Sequence, residues 1–240
     1  MASGKGGTGK TTTVAAVSSC LAALGHKTLC IDFDAGLRNL DLALGMSDYA
    51  VSDFLDVVGD KLGLMEACHE SPLIPNLFFL AAPVVSSEND LLTADFTRLF
   101  SDARNEFDYC LVDAPSGIGA GFKLAHKCAD MSVIVTTGES PAMRDASIAV
   151  SAAHDMGIEE LRLLINRVKP GHFRQTKTTL DDVIDTVGAR LIGAAREDNC
   201  VFFSLHANTP LILYKKRRSA YDFLEVARRI AGEEVPLKLR

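Results

Sequence analysis

Gly4-Lys5-Gly6-Gly7-Thr8-Gly9-Lys10-Thr11-Thr12 decides how this chain is read, because it fits the phosphate-loop spacing G-x-x-x-x-G-K-[ST]. Glycines let the backbone bend until successive N–H groups point into one concavity, and the helix that follows adds its positive N-terminal end. Gly4, Gly6, Gly7, Thr8 and Gly9 are therefore expected to cradle the phosphates of a nucleoside triphosphate, with Lys10 reaching the outer ones. Thr11 is placed to put its hydroxyl on Mg²⁺, and Thr12 to reach an inner phosphate from the first helical turn. By itself the pattern also suits a glycine-rich turn that caps a helix.

Phosphate loops hang from the end of a buried parallel strand, yet only Met1, Ala2 and Ser3 precede this one. A central strand buries about four apolar side chains at roughly 1.5–3 kcal/mol each, so doing without it forfeits roughly 6–12 kcal/mol. That rivals the ~5–15 kcal/mol stability of a whole domain. The expectation is a chain shortened at its N-terminus, with the usual first strand nearly absent.

Downstream, Val14, Val17, Leu21 and Leu24 recur at helical spacing up to Gly25, so Lys10–Leu24 reads as the helix that carries the loop. Thr28–Phe33 is a short buried strand that leads to Asp32 and Asp34, where a parallel sheet presents its C-terminal edge. Asp34 can hold an attacking water in line with the terminal phosphate and reach the metal through water, and Asp32 can support it. Arg38 and Asn39 belong to the rim of the site. Two aspartates at a strand end also serve as ordinary turn residues.

Tyr109–Asp113 is an apolar run ending in an acid, the pattern of a Walker B strand, with Asp113 binding Mg²⁺ through water. Ala114-Pro115-Ser116-Gly117 then reads as a glycine-bearing switch, although a strand-end aspartate can equally cap a helix. Leu161–Arg167 is a strand with Asn166 at its end, where a side-chain amide can pair with both donor and acceptor of adenine; a turn asparagine is the alternative. Further strands are expected at Leu77–Ala81, Met131–Thr137 and Leu191–Ala195, and helices at Val51–Leu64, Leu91–Phe107, Thr179–Val187, Ala220–Ala231 and from Met143 onward. This alternation gives an α/β, doubly wound, mostly parallel sheet in one domain over residues 1–240.

Composition agrees with that reading. Apolar residues make up 48% of the 240, enough for a single core, and the net charge of -6 argues against a protein that coats nucleic acid. Six cysteines occur without a C-x-x-C pair, so they read as reduced core thiols and not as a disulfide framework or metal site. The longest apolar stretch, Pro72–Val85, is interrupted by Pro75 and Pro83 and is too short to span a membrane.

The pattern K-G-G-x-G-K-T-T resembles the deviant phosphate loop of the MinD/ParA family of dimerising ATPases. The run Asp32-Phe33-Asp34-Ala35-Gly36-Leu37-Arg38-Asn39-Leu40-Asp41 is similar to the first switch of its MinD branch, and Asp113 to Gly117 matches the second switch D-x-P-x-G. The resemblance spans Gly4 to about Pro236 and implies a phosphate-loop NTPase of the SIMIBI type that hydrolyses ATP with Mg²⁺, slowly until an activator protein arrives. It implies an ATP-dependent homodimer that acts as a switch in placing the cell-division site, with Lys5 crossing to the partner's phosphates as an arginine finger does. Arg38, Asn39, Glu139 and Asp145 become candidates for the dimer or activator interface; as helix N-terminal acids, Glu139 and Asp145 also have a plain reading. The implied location is cytoplasmic, with peripheral contact at the inner face of the cell membrane.

The sequence departs from that family at Arg196-Glu197-Asp198, where proline commonly precedes the acidic pair, and no basic amphipathic helix follows Pro236. Lys215-Lys216-Arg217-Arg218 could meet acidic lipid or DNA, or form a solvated face. A ParA-type partitioning ATPase that binds DNA non-specifically is the main competing reading. A metal-cluster reductase would need cysteines between Asp113 and Gly121, which has none, and a ligase would need an added substrate domain. A degenerate site that binds nucleotide without turnover is the remaining alternative.

Overall fold

β1 (Thr28–Asp32) is buried along its whole length because it lies inside a sheet with helices on both faces. Its side chains alternate between two cores, Leu29 and Ile31 entering one and Cys30 the other. The structure, a computed structural model, describes residues 1–34, 38–49, 51–84, 95–127, 129–214 and 218–237. One half of the sheet runs β2 (His69–Glu70), β3 (Leu77–Leu80), β1, β4 (Tyr109–Asp113), with only β2 antiparallel. The other half is the parallel set β5 (Met131–Thr136), β6 (Glu160–Val168) and β7 (Arg190–Arg196).

Met1 and Ala2 join the halves. The Met1 amine donates to the Val112 carbonyl at 2.7 Å and the Ala114 N–H to the Met1 carbonyl at 3.2 Å. On the other side the Ala2 N–H donates to Val133 at 3.0 Å and the Val135 N–H to Ala2 at 2.8 Å. Ala2 thus forms a parallel bridge with Ile134, and the residues leading to the phosphate loop occupy the strand position between β4 and β5. The first strand expected to be nearly absent is reduced to this bridge.

α1 (Lys10–Ala23) is buried on almost every side because α11 (Arg218–Ile230) covers it from outside and α2 (Leu40–Leu44) packs beside it. Val14, Val17 and Leu21 share that core with Phe223 and Val226. On the opposite face Phe33 stacks on Phe54 at 4.8 Å between ring centroids and also meets Phe96 and Phe100. Phe100 belongs to α5 (Thr97–Glu106); the expected start of that helix at Leu91 lies outside the described residues.

Some expectations need correction. Val51–Leu64 is not one helix but α3 (Phe54–Val58), and α4 (Leu64–Ala67) starts only at its end. Asp53 and Asp56 form a capping box that starts α3, and Gly59 followed by Asp60 at φ 57° breaks it. α7 (Ser140–Asp155) starts before Met143, since Pro141 fits a first turn. α8 (Pro170–Thr176) and α10 (Asn199–His206) had no clear periodic signal, whereas α6 (Ala120–His126) follows the second switch and α9 (Leu180–Val187) is capped by Thr179.

Phe223 is 1% exposed at the junction of α11 with α1. Phe223→Ala is expected to lower the unfolding free energy by ~3–5 kcal/mol in urea titrations while keeping the far-UV spectrum.

Candidate nucleotide site

Gly9 takes φ 88° immediately before α1, a left-handed conformation that glycine adopts without strain. A Cβ at Gly9 would also collide with the Asn166 amide, whose Nδ2 donates to the Thr8 carbonyl at 2.8 Å. Asn166, at 7% exposure, therefore holds the loop in shape in addition to any part in reading a base. Gly4 is confined differently: a Cβ there would run into the Asp145 carbonyl of α7. Ser3 ties the loop to the second switch by accepting from the Gly117 N–H at 3.0 Å, and a Cβ at Gly6 would touch the Ser116 hydroxyl.

Lys10 opens α1 and is buried, at 7% exposure. Its Nζ donates to Asp113 Oδ1 at 2.8 Å, joining the phosphate-loop lysine to the end of β4. Asp113 is 1% exposed, and its Oδ2 is buried with no hydrogen-bond partner among the described residues. A buried carboxylate oxygen without a donor is costly unless something arrives to donate. The water shell of a divalent cation would supply such donors, so this donor set fits hydrated Mg²⁺. Among the described residues no group of three or more His, Cys, Asp or Glu side chains could hold a metal.

Two further carboxylates gather beside this pair. Asp32 accepts the Asp34 N–H at 2.9 Å and the Leu40 N–H at 3.3 Å, pinning both ends of the first switch. Burial nonetheless pushes its pKa up to about 6, against the lowering effect of those N–H groups. Asp34 is half-buried and its pKa is also raised, first by burial, with Lys10 opposing and Asp113 adding to the shift. The structure thus brings Lys10, Asp34 and Asp113 within electrostatic reach of one another, with Asp32 behind them.

A cavity of about 540 Å³ opens beside the loop, lined by Lys5, Gly6, Gly7 and Thr8 on one side and Thr137, Gly138 and Glu139 on another. Arg167, Lys169, Phe173 and Glu197 also line it, with Lys169 and Glu197 ion-paired. Lys5 and Glu139 are exposed. The hydroxyls of Thr8 and Thr137 are buried without partners among the described residues. Sequence reasoning overlooked Arg167, Lys169, Phe173 and Thr137; the signal available was that Thr137, Arg167 and Lys169 lie at or just past the ends of β5 and β6, the sheet edge where ligands collect, with Phe173 on the helix that follows.

The remaining expected residues are more dispersed. Thr11 and Thr12 are half-buried in the first turn of α1. Arg38 is half-buried and Asn39 exposed at the start of α2, Asp145 is half-buried on α7, and Ala35 to Leu37 lie outside the described residues. Arg196, where proline was expected, makes a paired contact with Asp222 of α11, Nε to Oδ2 at 2.9 Å and Nη2 to Oδ1 at 2.7 Å. Asp198 accepts the N–H groups of Cys200, Arg218 and Ser219 and so fixes the starts of α10 and α11.

The AAA-domain family model matches residues 1–154. A septum site-determining protein MinD from Synechocystis is 35% identical over 236 residues, covering 98% of this chain and 89% of that protein. A solved MinC:MinD cell division protein complex from Aquifex aeolicus contains a chain that superposes with a TM-score of 0.88 at 31% identity, covering 99% of this chain and 96% of that one. A MinD from Pyrococcus horikoshii, complexed with Mg-ADP, shares the fold with a TM-score of 0.80 at 24% identity, covering 98% and 97%.

Removing one partner of a buried ion pair strands the other, at a cost of about 3–5 kcal/mol. Lys10→Met should therefore destabilise the nucleotide-free protein by that order, and adding Asp113→Asn should restore most of the loss; additive losses in urea titrations would contradict the pairing. The raised pKa of Asp32 makes its contribution to stability greatest below 3.8 and lost as pH rises through about 6. Asp32→Asn should flatten the stability profile across that window, measured by denaturation at either end.

Proposed function

The chain belongs to the AAA-domain family and, within it, to the MinD septum site-determining proteins, and on that premise we propose that it is an Mg²⁺-dependent ATPase whose ATP-bound form pairs face to face and helps to place the division site. The buried Lys10–Asp113 contact beneath the glycine loop, with Asp113 Oδ2 lacking a donor, is the observation that carries this reading. It is a phosphate-binding cation and a metal-binding carboxylate held in one place.

The loop amides and Lys10 bind the phosphates, Lys10 exchanging Asp113 for a phosphate oxygen when ATP enters. Thr11 through its hydroxyl, and Asp113 and Asp34 through water, would hold Mg²⁺, which supplies positive charge to the phosphate oxygens. Asp34 orients the attacking water; burial is what raises its pKa, with Asp113 adding and Lys10 opposing. Asn166 donates its Nδ2 to the Thr8 carbonyl and would offer Oδ1 to the amino group of adenine, while Glu197 and Phe173 wall the cavity beside the loop. Exposed Lys5 reaches the partner's phosphates across the dimer axis.

Because Gly4 is pressed against Asp145, α7 rests directly on the phosphate loop. That contact gives a route by which nucleotide state reaches the exposed residues Glu139, Arg144 and Ile148, the face assigned here to the dimer partner or an activator. Arg38 and Asn39 belong to the same rim. The structure of a MinC:MinD complex supports a protein partner for this chain as well, and slow hydrolysis without an activator suits a switch that needs a lifetime. We place the protein in the cytoplasm with peripheral contact at the membrane; no helix among the described residues is long and apolar enough to cross one. DNA is the less favoured surface on account of the net charge of -6.

Light scattering with Mg·ATP tests the switch. Wild type should double in mass, Lys10→Ala should stay monomeric, and Asp34→Ala should hold the dimer longer while losing turnover by roughly 10²-fold or more. Lys5→Ala should bind ATP yet fail to hydrolyse it. No change of mass with nucleotide would sink the dimer, and ATP-dependent retention on DNA that salt abolishes would favour a partitioning role instead.

A further inference from the structure

α10 carries its apolar side chains outward. Its one buried residue is Ser204, while Phe202 and Phe203 stand 68% and 49% exposed and Leu205 is exposed beside them. The rings of Phe202 and Phe203 meet edge to face at 5.6 Å, and that of His206 lies parallel to Phe202 at 6.3 Å, so aromatic carbon covers the outer side of the helix. Leu213, in the short 3₁₀ turn (Leu211–Leu213) against which α10 packs, is exposed as well, although Leu211 of the same turn is buried in the core with α1. A helix that served only to close the fold would show the opposite arrangement.

Charge is distributed just as unevenly. From Asn199 to Tyr214 there is no Asp, Glu, Lys or Arg, in a chain of which 23% is charged, and Lys215-Lys216-Arg217-Arg218 follow at once. Folding brings the two ends of this segment together, because the Asp198 carboxylate accepts the N–H of Cys200 at 2.9 Å and those of Arg218 and Ser219 at 3.1 Å. Arg218 is exposed; the three cations before it lie outside the described residues. An uncharged, outward-facing apolar excursion thus starts and ends at one carboxylate, with a run of four positive charges at its close.

We propose that this excursion is a docking surface for an anionic lipid bilayer, with Phe202, Phe203, Leu205 and Leu213 entering the headgroup region and the run Lys215 to Arg218 meeting lipid phosphate. Phenylalanine and leucine side chains gain from leaving water and have no donor with which to grip the backbone or base edges of duplex DNA. A second copy of the chain suits the surface less, since a two-fold contact would bring the four cations of each copy near those of the other. The net charge of -6 holds the rest of the molecule away from an acidic membrane, so the local basic run decides which face approaches. The proposal names a surface for the membrane contact given above and rests on that reading.

Co-sedimentation of the full chain with vesicles, in the presence of Mg·ATP, provides the test. Vesicles of equal parts phosphatidylglycerol and phosphatidylcholine should bind the wild type, and phosphatidylcholine alone should not. Phe202→Ser combined with Phe203→Ser should weaken binding at least tenfold, and so should Lys215→Gln with Lys216→Gln, each lost cation counting for roughly fivefold. Cooperative melting and retained ATP binding report that both variants are folded. Because the chain has no tryptophan, Phe202→Trp adds a single reporter whose emission should shift to the blue on anionic vesicles and be quenched by brominated lipid. Failure of the wild type to bind any vesicle would overturn the membrane contact and this surface together. Binding that survives the paired serine substitutions, or an indole that stays in water while the protein pellets, would overturn the surface alone. Loss of the ATP-dependent mass doubling in the serine variant without vesicles would also overturn it, since the face would then join two copies.

Discussion

Met1 and Ala2 hydrogen-bond through their backbone to Val112 and Ala114 on one side and to Val133 and Val135 on the other, and the nucleotide site depends on that seam. It makes one sheet of two sets of strands and fixes where Gly4 begins. Backbone pairs of this kind are individually modest, about 0.5–1.5 kcal/mol net. Their position gives them weight, because the loop that follows has little of its own to hold it. Asn166 grips it from β6 through Thr8, Gly117 through Ser3, and α7 through the close packing of Gly4 on Asp145. A phosphate loop is a set of amides that must point inward without a ligand to organise them, and these contacts from separate elements provide that preorganisation.

The second constraint is electrostatic. Bringing Asp32, Asp34 and Asp113 to adjacent strand ends in a buried region raises the proton affinity of Asp32 and Asp34, and Lys10 is a buried side-chain cation set among them. Lys10 offsets the charge of Asp113 at 2.8 Å, while Asp32 relies on the N–H groups of Asp34 and Leu40. The acidic cluster is thus incompletely compensated by protein groups. A site in this condition gains when a cation arrives with its own water, and the same gain draws Lys10 toward phosphate. The energetic cost of assembling the acids is what makes the site responsive to its ligand.

Much of this was legible in the residues. Gly4 to Thr12, the acid pair after β1 and the run Tyr109 to Asp113 each carry a local pattern whose chemistry follows from residue type and spacing. The buried strands also announced themselves, since a parallel strand covered on both faces is a short apolar run. The break at Gly59 and Asp60 was harder to see, because apolar spacing over Val51 to Leu64 suits one helix as well as two. α8 and α10 were illegible for a different reason: they are short, and α10 exposes Phe202 at 68%, so no buried apolar stripe marks it. Arg196 broke the expected pattern, and its paired contact with Asp222 shows what that side chain does here.

By itself the sequence determined the fold class, the order of strand and helix, and the identity of the groups that can meet phosphate and metal, because these depend on periodicity and on side-chain chemistry within a few residues. The tertiary structure decided which of those groups touch. Lys10 and Asp113 are 103 positions apart and Asn166 and Thr8 are 158 apart, distances over which no local pattern carries information. It also decided that Met1–Ser3 stand between β4 and β5, because strand order is set by how helices cover both faces of the sheet and by which backbone edges are left to pair.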